Sequence, residues 1–161
     1  MHWYRDRGVV KRLRRWDSRL MEAFGRGLVA GLLGTAAMTI SSTAEAKLSG
    51  RGASTTPAQA AGKVAGVVAR DEAGEQRFNT VAHWGYGTAW GIFRSALDVA
   101  GLRGPLASLV HLVAVLGAEQ AMLPVLGVAK PTPAYGLTAM GTDTLHHAVY
   151  AGASGVAYDY L

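Results

Sequence analysis

Apolar positions in this chain fall into long runs rather than into the narrow stripes of a solvent-facing helix. Residues 27–44 (GLVAGLLGTAAMTISSTA) contain no ionisable side chain, and residues 78–93 contain only His83. Residues 104–129 add His111 and Glu119, and residues 131–158 add Asp143, His146 and His147. Each run is close to the roughly 20 residues with which a helix crosses the hydrocarbon layer of a bilayer. Extended to the nearest breakers, they predict helices over 26–47, 78–99, 104–127 and 137–160. The breakers are Gly50 to Gly52, Gly101 to Gly104 and the KPTP turn of Lys130 to Pro133.

A soluble bundle would carry a wide charged stripe on each helix. The second, third and fourth runs have none, so the pattern predicts an all-α, four-helix transmembrane bundle, with a soluble helical interaction domain as the alternative. Between the first two runs, TTPAQAAGKVAGVVA has a capping threonine, Pro57 at a first-turn position and apolar residues at helical spacing. It predicts a short helix lying on the bundle or the outer surface. The resulting division is a basic amphipathic segment over 1–25 and a membrane domain over 26–161.

Composition changes the picture in two ways. The mean hydropathy of +0.15 is low for a membrane protein, but the 21 glycines and abundant alanine explain much of it. Small residues allow close backbone approach, which membrane helices need because no hydrophobic force drives them together in lipid. The spacings Gly27/Gly31 and Gly87/Gly91 fit that use. The absence of cysteine removes disulfides, thiolate zinc sites and thiol nucleophiles.

Charge sets the orientation. Arg5, Arg7, Lys11, Arg12, Arg14, Arg15, Arg19 and Arg26 all precede or open the first apolar run. Lysine and arginine stay on the cytoplasmic side, so the N-terminus is predicted inside and, after four crossings, so is the C-terminus. With Trp3, Tyr4, Trp16 and Phe24 interleaved, residues 1–25 have the make-up of a helix lying on anionic lipid of the inner leaflet. No recognition fold accompanies the charge, so nucleic acid is not the expected partner. The glycine-rich faces leave room for a membrane-protein partner or a second copy.

The stretches GLVAGLLGTAAMTISSTAEAKL, HWGYGTAWG, HLVAVLGAEQAMLPVLGVAKPTP and HHAVY, spread in order over residues 27–160, resemble the YagU-like family of small bacterial inner-membrane proteins. The resemblance implies a multi-pass protein of the bacterial cytoplasmic membrane. It supplies no catalytic residues. The basic N-terminus is longer here and the first connection differs from the family's pattern.

The candidate chemistry lies where ionisable groups interrupt apolar runs. A rise of about 1.5 Å per residue puts Glu45, His83, Glu119, Asp143, His146 and His147 all in the outer half of the bundle, with His111 alone nearer the cytoplasmic face. On the last helix His146 and His147 follow Asp143 by three and four positions, and Tyr150 and Ser154 continue that side. On the first, Thr35, Thr39 and Ser42 form a stripe leading to Glu45. Facing lipid, each ionisable group would cost at least roughly 2.5 kcal/mol, so these stripes are expected to face inward and pair carboxylate with imidazole.

Such a cluster suits proton or cation handling, since imidazole titrates near neutral pH. It also suits a metal, with Asp143 and His146 as the helical ligand pair and Glu119, His83 and Glu45 completing a set for zinc, manganese or iron. Haem ligation would draw on His83, His111 or His147, which lie at different levels. The plainest alternative is that the groups only tie helices together by hydrogen bonds. No phosphate-binding loop or nucleophile elbow is present. Arg94 and Asp98, four apart near the inner end of the second helix, read as an exposed or snorkelling pair. The expected function is non-enzymatic: a membrane module that binds a proton or cation, or an accessory subunit of a larger complex.

Overall fold

The structure, a computed structural model, describes residues 7–52 and 54–161. They form α1 (Arg7–Ser49), α2 (Thr56–Ala65), α3 (Glu72–Val99), α4 (Gly104–Val125) and α5 (Leu137–Tyr160), with a 3₁₀ turn at Thr132–Tyr135 before α5. No β-strand occurs among the described residues, so the chain is all-α as its pattern predicts. The four apolar runs are α1, α3, α4 and α5, and the predicted short connecting helix is α2.

Two boundaries differ from the expectation. Helix α1 is unbroken across residue 25, so the helix expected from residue 26 is the later part of a longer one. Trp3, Tyr4 and Arg5 of the basic segment lie outside the described residues. Helix α3 starts at Glu72 rather than 78 because Asp71 caps it, accepting a hydrogen bond of 2.6 Å from the Gly74 amide. Glu72 and Glu75 then sit in a first turn whose dipole favours acids. At α2, Thr55 holds the cap position, but its side chain caps no backbone amide; its hydroxyl instead accepts from the Gln59 side-chain Nε2 at 2.9 Å. Pro57 lies in the first turn as read, and Gly66 ends the helix at φ 68°, a left-handed conformation that glycine adopts without a Cβ penalty.

Small residues set the packing. Helix α1 lies against α3 and α5, α4 against α5, and α2 against α3. At the crossing of α1 and α3, a Cβ on Gly31 would stand 2.6 Å from the Thr88 carbonyl oxygen and 2.9 Å from the Gly91 Cα. A Cβ on Gly91 would be 2.7 Å from the Gly31 nitrogen. Only glycine permits the two backbones to come this close, so the spacings Gly27/Gly31 and Gly87/Gly91 are the contact itself. Gly34 plays the same part towards Tyr150 on α5, where a Cβ would stand 2.8 Å from its carbonyl oxygen.

The interior is small and polar while the outside is large and apolar. Buried positions include Ala30, Ala107, Ala151, Thr35, Ser95 and Ser154, with Val115, Tyr150 and Tyr158 among the few bulky ones. Leu32, Leu33, Ile40, Leu106, Leu109, Val113, Leu145 and Val156 are exposed. Among the described residues two helices, the Asp17–Ser49 part of α1 and α4, are long and apolar enough to cross a membrane, against the four that the apolar runs predict.

Candidate functional site

Helix α5 begins after the Gly136 turn and carries Asp143 in its second turn and His147 one turn later. Four residues apart on a helix, these side chains lie on one face. His147 Nδ1 is 3.2 Å from Asp143 Oδ1 and 2.9 Å from the Asp143 carbonyl oxygen. Across the interface α4 presents Glu119, whose Oε2 is 3.2 Å from His147 Nε2. The imidazole therefore stands between two carboxylates, one at each ring nitrogen. The ring's hydrogen bond joins Nδ1 to the Asp143 carbonyl and Glu119 Oε2 has no hydrogen-bond partner among the described residues, so the two carboxylates face the ring as ion-pair partners, which requires an imidazolium. The three residues each bring one ligand atom within 4.8 Å of the others. All three are largely buried.

Asp143 is held from its other side. Thr132, in the 3₁₀ turn, donates its hydroxyl to Asp143 Oδ2 at 3.1 Å and accepts from the Gln120 side-chain amide at 2.6 Å. The Thr132 amide in turn donates to Gln120 Oε1 at 2.7 Å. Gln120 neighbours Glu119 on α4, so the KPTP loop ties that turn of α4 to Asp143, while Glu119 Oε2 is buried with no hydrogen-bond partner among the described residues. Neither Gln120 nor Thr132 stands out in the sequence as a site residue. Their signals were weak: Gln120 follows Glu119 directly, and Thr132 lies in the turn that brings α5 back against α4.

The other expected members lie in separate groups. His146, read as the ligand partner of Asp143, points elsewhere: its Nδ1 is 2.8 Å from Ser41 Oγ on α1, and its Nε2 is 3.8 Å from Glu45 Oε2. Residues three and four positions on straddle the face of Asp143, and α1 packs on the side that takes His146. Glu45 is ion-paired with Arg51 and reaches the histidines only through His146. His83 contacts Thr39 Oγ1 at 3.0 Å through Nε2. Since the Thr39 hydroxyl donates to the Thr35 carbonyl at 2.7 Å, His83 is the donor in that pair. The single six-residue cluster expected from depth is thus a triad, an outer pair with its arginine, and a lone histidine on the threonine stripe. Of that stripe Thr35 and Thr39 face inward, while Ser41 rather than Ser42 meets α5.

His111 is buried apart from all of these. Its ring centroid is 5.4 Å from that of Tyr150, 6.0 Å from Phe93 and 6.2 Å from Trp90. His83, His111 and His147 thus occupy three different environments.

Arg94 and Asp98 are not the exposed pair that their spacing suggested. Arg94 is 0% exposed and donates to Asp159 at 2.7 Å, while Asp98 accepts from Arg103 at 2.7 Å. Helix α5 packs its last turn across α3 and takes the guanidinium that a lone helix would send to water.

No protein-family model, no curated protein and no solved structure matches the chain.

Proposed function

We propose that this is a multi-pass protein of the bacterial cytoplasmic membrane, belonging with the YagU-like proteins, in which Glu119, His147 and Asp143 bind and release a proton inside a bundle of α1, α3, α4 and α5. The observation that carries the reading is the imidazole of His147 held at 3.2 Å from a carboxylate on each side. Two carboxylates and one imidazole can share protons without any of them meeting lipid. The small, polar interior and the apolar outer surface support the membrane setting, and the arginine-rich start of the chain supports cytoplasmic termini. Residues 1–25 are then the part that meets anionic lipid, and the exposed apolar faces are where a membrane partner or a second copy packs. The protein acts without catalysis, as a small module or accessory subunit.

A second reading, a divalent cation on the same three residues, is favoured by their ligand atoms lying within 4.8 Å of one another. Carboxylate and imidazole donors suit zinc, manganese or iron.

Thermal unfolding in mild detergent tests both. Wild type and His147→Gln are compared at about pH 5.5 and about pH 8, on either side of the ordinary histidine range, with and without zinc. A proton site predicts a pH-dependent melting temperature in wild type that flattens in the variant, with no zinc response. A cation site predicts stabilisation by zinc that the variant loses. Equal behaviour of the two proteins in every condition overturns both.

A further inference from the structure

The end of the bundle opposite the histidines holds a cleft of about 440 Å³, lined by Arg26, Asp98, Arg103, Gly104, Tyr158 and Asp159. Along α5 the 16 positions from Asp143 to Asp159 correspond to roughly 24 Å, so this is a separate place from the carboxylate and histidine triad.

The lining itself pairs two cations, Arg26 and Arg103, with two carboxylates, Asp98 and Asp159, and the enclosed Arg94 adds a third cation behind it. Each lining carboxylate already has a cation: Arg103 donates to Asp98 and Arg94 donates to Asp159, both at 2.7 Å. Arg26 has no carboxylate partner among the described residues. One of its terminal nitrogens donates to the Tyr158 carbonyl at 2.9 Å, and its Nε is buried with no hydrogen-bond partner. The Arg26 and Arg94 guanidinium carbons stand 4.9 Å and 4.4 Å from the centre of the same Tyr158 ring. Arg94, enclosed behind that ring, also has Nε and one terminal nitrogen without partners. Two guanidinium groups are thus gathered on one aromatic ring and a third stands at the rim, against two carboxylates.

The backbone adds to this. Gly104, in the lining, is the first residue of the 22-residue helix α4, and the N-cap residue Arg103 provides no side-chain cap. Pro105, the next residue, has no N–H, but the other amides of the first turn have no acceptor within the helix and carry the positive end of its dipole.

We propose that this cleft binds a phosphate group, carried by an anionic phospholipid headgroup or free in solution. The guanidinium groups of Arg26 and the exposed Arg103 are the direct donors, the start of α4 supplies amides, and Arg94 supplies charge from behind Tyr158. Guanidinium groups match phosphate oxygens in pairs, which a lone ammonium does not. With the termini cytoplasmic, the cleft lies at the level of inner-leaflet headgroups, where basic pockets between helices collect anionic lipid. The lipid source rests on the membrane reading given above; the phosphate chemistry does not.

The full chain in mild detergent is titrated with phosphatidylglycerol against phosphatidylcholine, and with inorganic phosphate against chloride at equal ionic strength. Binding is read by native mass spectrometry and melting temperature. Preference for phosphatidylglycerol assigns a headgroup site, and preference for inorganic phosphate assigns a soluble ligand. Arg26→Gln is expected to weaken the preferred ligand roughly tenfold, the loss of one charge-assisted contact. Arg103→Gln should weaken it in the same direction, and it keeps the test open where Arg26→Gln does not fold, since the Arg103 side chain is 76% exposed. Arg70→Gln makes the same charge change on the exposed connection before α3 and should leave binding unaltered. No preference in either titration, or an equal loss in Arg70→Gln, overturns the proposal. Because none of these variants touches Glu119, Asp143 or His147, its failure leaves the proton site standing.

Discussion

Arg94 and Asp159 are 65 positions apart, yet a terminal nitrogen of Arg94 lies 2.7 Å from Asp159 Oδ1. The arginine side chain has no exposed surface, whereas the aspartate side chain is 43% exposed. The contact ties the last turn of α5 to the later half of α3 and compensates a guanidinium that the fold has removed from solvent.

Asp159→Asn should therefore destabilise the bundle, against the simple expectation that a residue in the last helical turn is solvated and tolerant. Breaking a fully buried pair costs about 3–5 kcal/mol; partial exposure of Asp159 lowers the expected loss to about 2 kcal/mol. Melting in detergent measures it. An unchanged melting temperature would mean that Arg94 finds another acceptor without cost.

At the α1 and α3 crossing, Gly91→Val should be among the most damaging single changes. Its Cβ would collide with the Gly27 carbonyl and stand 2.8 Å from the Gly31 Cα, both backbone, so neither neighbour can rotate away. A loss of about 3 kcal/mol, the upper range for overpacking, is expected. Gly85→Ala on the same helix meets nothing within 4 Å and should be neutral or slightly stabilising through helix propensity. Equal effects of the two variants would argue against the close crossing.

The division of the ionisable residues can be measured by double-mutant cycles. Glu119→Gln and His147→Gln share a contact of 3.2 Å and should show a coupling of about 1 kcal/mol or more. Glu119→Gln and His146→Gln share no contact, because His146 turns to Ser41, and should add within about 0.5 kcal/mol. Coupling of both pairs to the same extent would restore the single six-residue cluster.

Topology reporters test the membrane setting. A fusion after Leu161 is expected to report the cytoplasm and one near Ala73 the outside, with the protein retained in membranes after alkaline carbonate washing. An external C-terminus refutes the four-crossing arrangement, and recovery in the soluble fraction favours the interaction-domain alternative.

Sequence by itself determined the helices and their breaks, because these rest on local causes. Uninterrupted small and apolar runs sustain helices, and glycine and proline at Gly101, Gly104 and KPTP end them within one or two residues of the observed limits for α4 and α5. The Gly27/Gly31 and Gly87/Gly91 spacings also announced a close approach, since glycines four apart on one helix face let two helix backbones meet. The start of α3 is legible in the capping Asp71, although the apolar run begins only at Phe78. What tertiary structure alone decided was which way neighbouring polar side chains turn. Adjacent positions on α5 point about 100° apart, so a small rotation against α1 and α4 gave His147 to Asp143 and Glu119 and sent His146 to Ser41. The same holds for Arg94, whose partner depends on where the last turn of α5 lands on α3. Helix formation depends on neighbours within a turn, whereas partner choice depends on the packing angle between segments tens of residues apart, and no local pattern encodes that angle.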